Sequence, residues 1–112
     1  MAKSKIDLTV TDGMKIEARR GLAWRKEYKR GGTAVGVARA RSIIGNRITR
    51  KDWIEIKAWH ARHAVDAEAE GYRPGEDGYP SAGRIAAALW GGQPAKQRAA
   101  KIRRQIEAEN DN

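Results

Sequence analysis

Three short pairs of helix-ending residues divide this chain into short segments. Gly31-Gly32, Gly45-Asn46 and Gly91-Gly92 each follow a stretch whose apolar residues recur every three or four positions. That spacing places apolar side chains on one face of a helix, and a glycine after the last turn readily adopts the left-handed conformation that ends it. The pattern therefore predicts an all-α fold, a compact bundle of four to five short helices.

Capping residues indicate where the helices begin. Thr33, Thr49 and Ser81 each precede an apolar-periodic run and offer a hydroxyl oxygen to a backbone N–H of the first turn. The predicted helices span residues 14–30, 33–44, 49–65, 81–90 and 93–108. The segment GYRPGEDGYP at 71–80 concentrates turn-forming residues and is predicted to be a loop.

The two ends are predicted to lie outside the helical domain, which covers residues 13–92. Residues 1–12 form a flexible N-terminal arm, in which Ile6, Leu8 and Val10 alternate as a short strand would. Residues 93–108 form a basic amphipathic helix, and residues 109–112 an acidic, polar tail. The predicted core contains Leu22, Val37, Ile44, Ile54, Ala58, Val65, Ile85, Leu89 and Trp90.

Charge is strongly segregated along the chain, whose formal net charge is +9. Residues 15–51 hold 12 Lys/Arg and 2 Glu, residues 52–77 hold 3 Lys/Arg and 7 acids, and residues 78–106 hold 6 Lys/Arg and no acid. Such an excess of positive charge in two regions is typical of a protein that binds a polyanion, and it also suits a solvated basic surface. Nucleic acid is the first partner to consider.

Enzyme and metal chemistry find little support in the sequence. The absence of cysteine excludes a disulfide framework, a thiolate nucleophile and a cysteine zinc site. Asp66 to Asp77 resembles a calcium loop but carries the stiff Pro74 among its ligands, and His60 with His63 supplies too few donors for a metal. No apolar segment has the length of a membrane span. We therefore predict no catalytic residue, no metal, no cofactor and no membrane partner.

Basic residues interleaved with aromatic residues give the strongest functional signal. Trp24 and Tyr28 stand among cations, where each ring either stacks on a base or packs inward. Arg84, near the start of the helix capped by Ser81, is a candidate for binding one phosphate. The first predicted binding surface contains Arg19, Arg20, Arg25, Lys26, Lys29, Arg30, Arg39 and Arg41, and the second contains Lys96, Arg98, Lys101, Arg103 and Arg104.

Two long motifs carry a resemblance to a known family. The runs ARRGLAWRKEYKRGGTAVGVARARS and GYPSAGRIAAALWGG, within a match of roughly residues 13–92, resemble a small tailed-bacteriophage family. Its members are often encoded near, or fused to, head-morphogenesis proteins such as the portal and the capsid protease. The resemblance implies no particular activity for this chain. The chain departs from the family pattern at Ala87, where a Trp is usual, and at Trp59, where Phe or Tyr is common.

These features together favour a non-enzymatic phage protein that binds nucleic acid through its backbone with little sequence preference. The alternative is a head-assembly component or a host-targeting effector, whose cations dock an acidic protein surface. Its acidic stretch 66–77 would then serve self-association or the register with a partner. The resemblance implies a place in the host bacterial cytoplasm or in the virion head.

Overall fold

Five α-helices make up most of residues 6–110, the part of the 112-residue chain that the computed structural model describes. They are α1 (Asp12–Tyr28), α2 (Ala34–Ile44), α3 (Arg50–Arg62), α4 (Ala82–Leu89) and α5 (Gly92–Asn110). A 3₁₀ helix, Ala64–Glu68, follows α3, and residues 6–110 contain no strand. The prediction of an all-α bundle is confirmed.

The predicted N-caps lie at the starts of α2, α3 and α4. Each hydroxyl oxygen of Thr33, Thr49 and Ser81 accepts a hydrogen bond from the backbone N–H three residues later. At α3 the carboxylate of Asp52 also accepts from the N–H of Thr49 at 3.0 Å, which completes a capping box. A fourth cap, Thr11, begins α1 two residues earlier than predicted.

α1 packs antiparallel to α4 and α3 packs antiparallel to α5, while α2 lies against α1. Gly21 of α1 lies so close to α4 that a Cβ atom there would come within 2.7 Å of the backbone nitrogen of Leu89. In the second pair, Arg50 at the start of α3 pairs with Glu109 at the end of α5. At the opposite end of that pair, His60 bonds to Trp90, two residues before α5 begins.

The core draws side chains from all five helices, and its composition corrects part of the prediction. Ile85, Leu89 and Trp90 are buried as predicted. Ile54 and Val65 were predicted to be in the core, but they are 38% and 63% exposed. The reason is that α3 turns its Trp53, Ile56 and Trp59 face inward, where larger side chains bury more apolar area, and that α3 has ended before Val65.

Residues 6–11 form an extended segment that is attached to the helices. The indole N–H of Trp53 donates to the carbonyl of Leu8 at 2.9 Å, and the N–H of Val10 donates to Oδ1 of Asn46 at 3.0 Å. Side chains of α3 and of the turn after α2 thus supply the partners that a strand would have needed. Residues 1–5, the rest of the predicted arm, lie outside the described residues.

The C-terminal helix is longer than predicted. α5 continues to Asn110, so Glu109 belongs to the helix and not to a tail. Residues 111–112 of the predicted tail lie outside the described residues.

A sharp corner at Trp90–Gly91 joins α4 to α5. Gly91 and Gly92 have φ values of 91° and 65°, in the left-handed region that favours glycine. A Cβ atom on Gly92 would also lie 2.3 Å from Oε1 of Glu17. The predicted helix end at this pair is confirmed. At this corner the ring of Trp90 stacks on the ring of Trp59 from α3, with the ring centroids 5.2 Å apart.

His60 connects α3 to this corner through a buried hydrogen bond. Its Nε2 lies 2.9 Å from the carbonyl oxygen of Trp90, so the neutral ring donates from Nε2. Burial lowers the pKa of His60 below its ordinary value of 6.5, and this outweighs the hydrogen bond to Trp90, which raises it. The nearby charges of Lys96 and His63 lower the pKa further.

Acidification should therefore destabilise the fold through His60. A lowered pKa means that the contribution to stability is complete above pH 6.5 and is lost as the pH falls from 6.5 toward the pKa of the folded state. We expect the free energy of unfolding to fall by about 1 kcal/mol between pH 7.5 and 5.5, measured by urea denaturation. In His60→Gln, whose amide can still donate to Trp90, this pH dependence should be reduced. An equal dependence in both proteins would contradict the assignment.

Candidate nucleic-acid interface

The predicted binding cations divide into two groups in the structure. One group makes ion pairs or hydrogen bonds that hold helices together. The other lies at the surface or lines a cavity: most of its members make no hydrogen bond or ion pair with residues 6–110, and Arg25 and Arg30 donate only to backbone carbonyls, which leave their charge in place. The division decides which cations are available to a partner, and it was not visible in the charge pattern.

Arg84 belongs to the first group because it pairs with the buried carboxylate of Glu17. Its Nη1 lies 2.9 Å from Oε1, an approach without hydrogen-bond geometry, so the attraction is mainly coulombic. Oε2 of the same carboxylate accepts from Nη1 of Arg20 at 2.9 Å. Only 16% of the Arg84 side chain is exposed. The predicted phosphate ligand is therefore a structural link between α1 and α4.

The start of α4 is also occupied. Asp66, from the 3₁₀ helix, lies against Gly83, with Oδ2 3.2 Å from where a Cβ atom would stand. A carboxylate beside a helix N-terminus is favourable, and it leaves this end less suited to a further anion.

Arg39 and Arg98 likewise serve the fold. Arg39 reaches from α2 to Asp52 at 3.1 Å and Glu55 at 2.8 Å, with its guanidinium 5.1 Å from the ring centre of Trp90. Arg98 donates from α5 to the backbone carbonyls of Thr9 and Asp7 at 3.1 and 2.6 Å. The side chains of both arginines are largely buried. On the surface, Arg103 pairs with Glu107 one turn along α5 at 3.1 Å.

The two candidate stacking residues differ in availability. Trp24 is half-buried, with the guanidinium groups of Arg84 and Arg20 at 5.2 and 5.5 Å from its ring centre and the ring of Tyr79 edge-on at 5.6 Å. Tyr28 is 40% exposed, and Arg30 lies 5.4 Å from its ring. Tyr28 is thus the more accessible ring.

A cavity of about 440 Å³ lies where α1 ends and the chain turns into α2. We call it the basic pocket. Its lining contains no acidic residue and consists of Arg25, Lys26, Lys29, Arg30, Gly31 and Gly32. α1 ends here because Lys29 adopts a left-handed conformation with φ 55°, and its N–H bonds to the carbonyl of Arg25. Four cations of the first predicted surface therefore meet at one cavity.

Two of these cations are held in place. Nε of Arg25 donates to the carbonyl of Gly31 at 3.1 Å, across the turn. Nη2 of Arg30 donates to the carbonyls of Gly78 and Pro80 at 3.2 and 2.9 Å, which ties the turn to the loop before α4. Lys26 and Lys29 are exposed and pair with none of residues 6–110.

The second predicted surface is reduced to a band on α5. Lys96, Lys101 and Arg104 are exposed there, on the side away from the buried stripe of Ala95, Ala99, Ile102 and Ile106. Arg19 on α1 and Arg41 on α2 are exposed as well.

The described residues form neither a metal cluster nor a membrane-spanning helix. No group of three or more His, Asp or Glu side chains within residues 6–110 is arranged to hold a metal ion. Among the described helices none has the length and apolarity that a membrane crossing requires. Comparison with protein-family models, with curated proteins and with solved structures finds no match to this chain.

Sequence reasoning overlooked Glu17, the residue on which the arginine cluster depends. Its signal was present, because Glu17 is one of only two acids in the strongly basic stretch 15–51 and stands three residues before Arg20. An acid on the helix face that also carries Gly21, a site of close packing, is a candidate for a buried ion pair.

Glu17→Gln should strongly destabilise the protein. The substitution leaves the guanidinium of Arg84 without its counter-charge in a largely buried position, which costs about 3 kcal/mol. Urea denaturation followed by circular dichroism measures the loss. The matched control is Glu107→Gln, which removes an exposed pair and should cost less than about 0.5 kcal/mol. Equal unfolding midpoints for the two variants would show that the Glu17 cluster is not structural.

Proposed function

We propose that this chain is a non-enzymatic phage protein that binds nucleic acid through the phosphate backbone, with little sequence preference. The observation that carries the proposal is the basic pocket, where four cations line one cavity without an acid among them. Arg39, Arg84 and Arg98 are paired with acids elsewhere, so the positive charge without an acidic partner is concentrated at the pocket and along α5. A net charge of +9 adds long-range attraction to any polyanion.

The structure narrows the set of residues that we propose to contact phosphates. Arg39, Arg84 and Arg98 hold helices and the N-terminal segment together, so their contribution to binding would be indirect. The proposed contacts are the exposed or pocket-lining cations Arg19, Arg25, Lys26, Lys29, Arg30, Arg41, Lys96, Lys101 and Arg104. Contacts of lysine and arginine with phosphate fix the protein on the strand but do not read bases, which is why we propose little sequence preference.

The phage setting of the proposal rests on the resemblance of the two long motifs. Within that setting the protein would act in the host bacterial cytoplasm or in the virion head, the two places where phage nucleic acid is handled. No step of the proposal requires a cofactor, because backbone binding is electrostatic.

Charge reversal tests the proposal. We would measure binding to a mixed-sequence DNA duplex by fluorescence anisotropy at several salt concentrations, for the parent and for Lys26→Glu/Lys29→Glu and Lys96→Glu/Lys101→Glu. Each double variant should weaken binding about tenfold or more, and the slope of log affinity against log salt should flatten by about one unit for each lost contact.

The control has the same net charge as the test variants. Lys51→Glu/Arg62→Glu changes two exposed cations of α3, outside both proposed surfaces, and should weaken binding less than threefold. Equal losses in all three variants would indicate attraction by net charge alone. No binding of the parent at low salt would reject the proposal in favour of an acidic protein partner. Gel filtration of the protein alone would then show whether that partner is a second copy of the chain, because a dimer elutes earlier than a monomer.

A further inference from the structure

The shape of the basic pocket distinguishes it from the other exposed cations. Cations along a helix face, such as Lys101 and Arg104 of α5, suit a backbone that passes over the surface. The basic pocket is concave instead, and its glycine wall is pressed against α4. A Cβ atom on Gly31 would lie 2.6 Å from Cβ of Ile85. The pocket is therefore closed by α4 behind the glycine backbone. The end of a nucleic-acid strand can enter such a pocket more easily than a strand that continues in both directions.

The pocket offers more donors than its own structure uses. A guanidinium carries five N–H donors, and the structure uses Nε of Arg25 and Nη2 of Arg30. The remaining donors are held in position by those same bonds, so little side-chain freedom is lost when they bind. Lys26 and Lys29 add two ammonium groups that can move to meet a ligand.

The charge of the pocket matches a phosphomonoester better than a phosphodiester. An internal phosphodiester carries one negative charge, whereas a terminal phosphate carries about 1.5 to 2 at pH 7 and has three acceptor oxygens. Four cations without an acid in the lining suit the higher charge. The lining also contains no aromatic or aliphatic residue that would favour a base.

We propose that the basic pocket binds the terminal phosphate of a nucleic-acid strand. The proposal rests on the proposed function, and it adds that the protein engages strand ends in a way that differs from its contacts along the backbone. The chemistry is that of a phosphomonoester, which a free mononucleotide also carries, so the test separates the two sources.

The test compares one oligonucleotide sequence with three ends: a 5′-phosphate, a 3′-phosphate, and hydroxyl groups at both ends. Anisotropy at pH 7.5 should show roughly tenfold tighter binding of at least one phosphorylated form by the parent. The advantage should vanish in Lys26→Ala/Lys29→Ala and persist in Lys96→Ala/Lys101→Ala. It should shrink at pH 5.5, below the second pKa of a phosphomonoester at about 6.

Each other outcome overturns the inference in a recognisable way. Binding of all three oligonucleotides with equal affinity would reject the strand-end site and leave backbone binding intact. No binding of any oligonucleotide at low salt would reject the proposed function together with it. Displacement of the phosphorylated oligonucleotide by an equal concentration of a nucleoside 5′-monophosphate would assign the pocket to a free mononucleotide instead.

Discussion

One buried carboxylate, that of Glu17, is the interaction on which much of this structure depends. It pairs with Arg84 of α4 and Arg20 of its own helix, and it packs directly against Gly92 at the corner between α4 and α5. A buried charge is tolerated only where partners surround it, so this contact determines how α1, α4 and the corner meet. The corner in turn carries Trp90, whose carbonyl and ring contact His60 and Trp59 of α3.

The same requirement explains how the cations are divided. Several arginines pair with acids or backbone carbonyls to join elements that are distant in sequence, as Arg98 joins α5 to Thr9. These residues hold the fold together, and nearby acids partly offset the charge of Arg39, Arg84 and Arg98 where they lie. The cations that remain make no ion pair with an acid among residues 6–110, and they are most concentrated at the basic pocket. We therefore propose that nucleic acid is bound by these remaining cations and not by all the cations in the two basic regions.

The sequence predicted what depends on near neighbours. Helix starts at Thr33, Thr49 and Ser81 were predictable because a cap bonds to a backbone group three residues away. The inward face of α3 could not be predicted in this way. Trp53 and Ile54 are adjacent in sequence, and which of the two is buried depends on how α3 packs against α5 and the N-terminal segment. The role of Arg98 depends on partners some 90 residues away, which no local pattern contains. The candidate site was predicted as a set of cations, but their meeting at one cavity was not.

The most direct test of the account is a titration of ¹⁵N-labelled protein with a mixed-sequence DNA duplex at low salt, followed by NMR. The account predicts chemical-shift changes at residues 25–32 around the basic pocket and at the exposed band of α5, 96–104, and these changes should disappear at high salt. Changes centred on the acidic residues 66–77, or no change near residues 25–32, would contradict it.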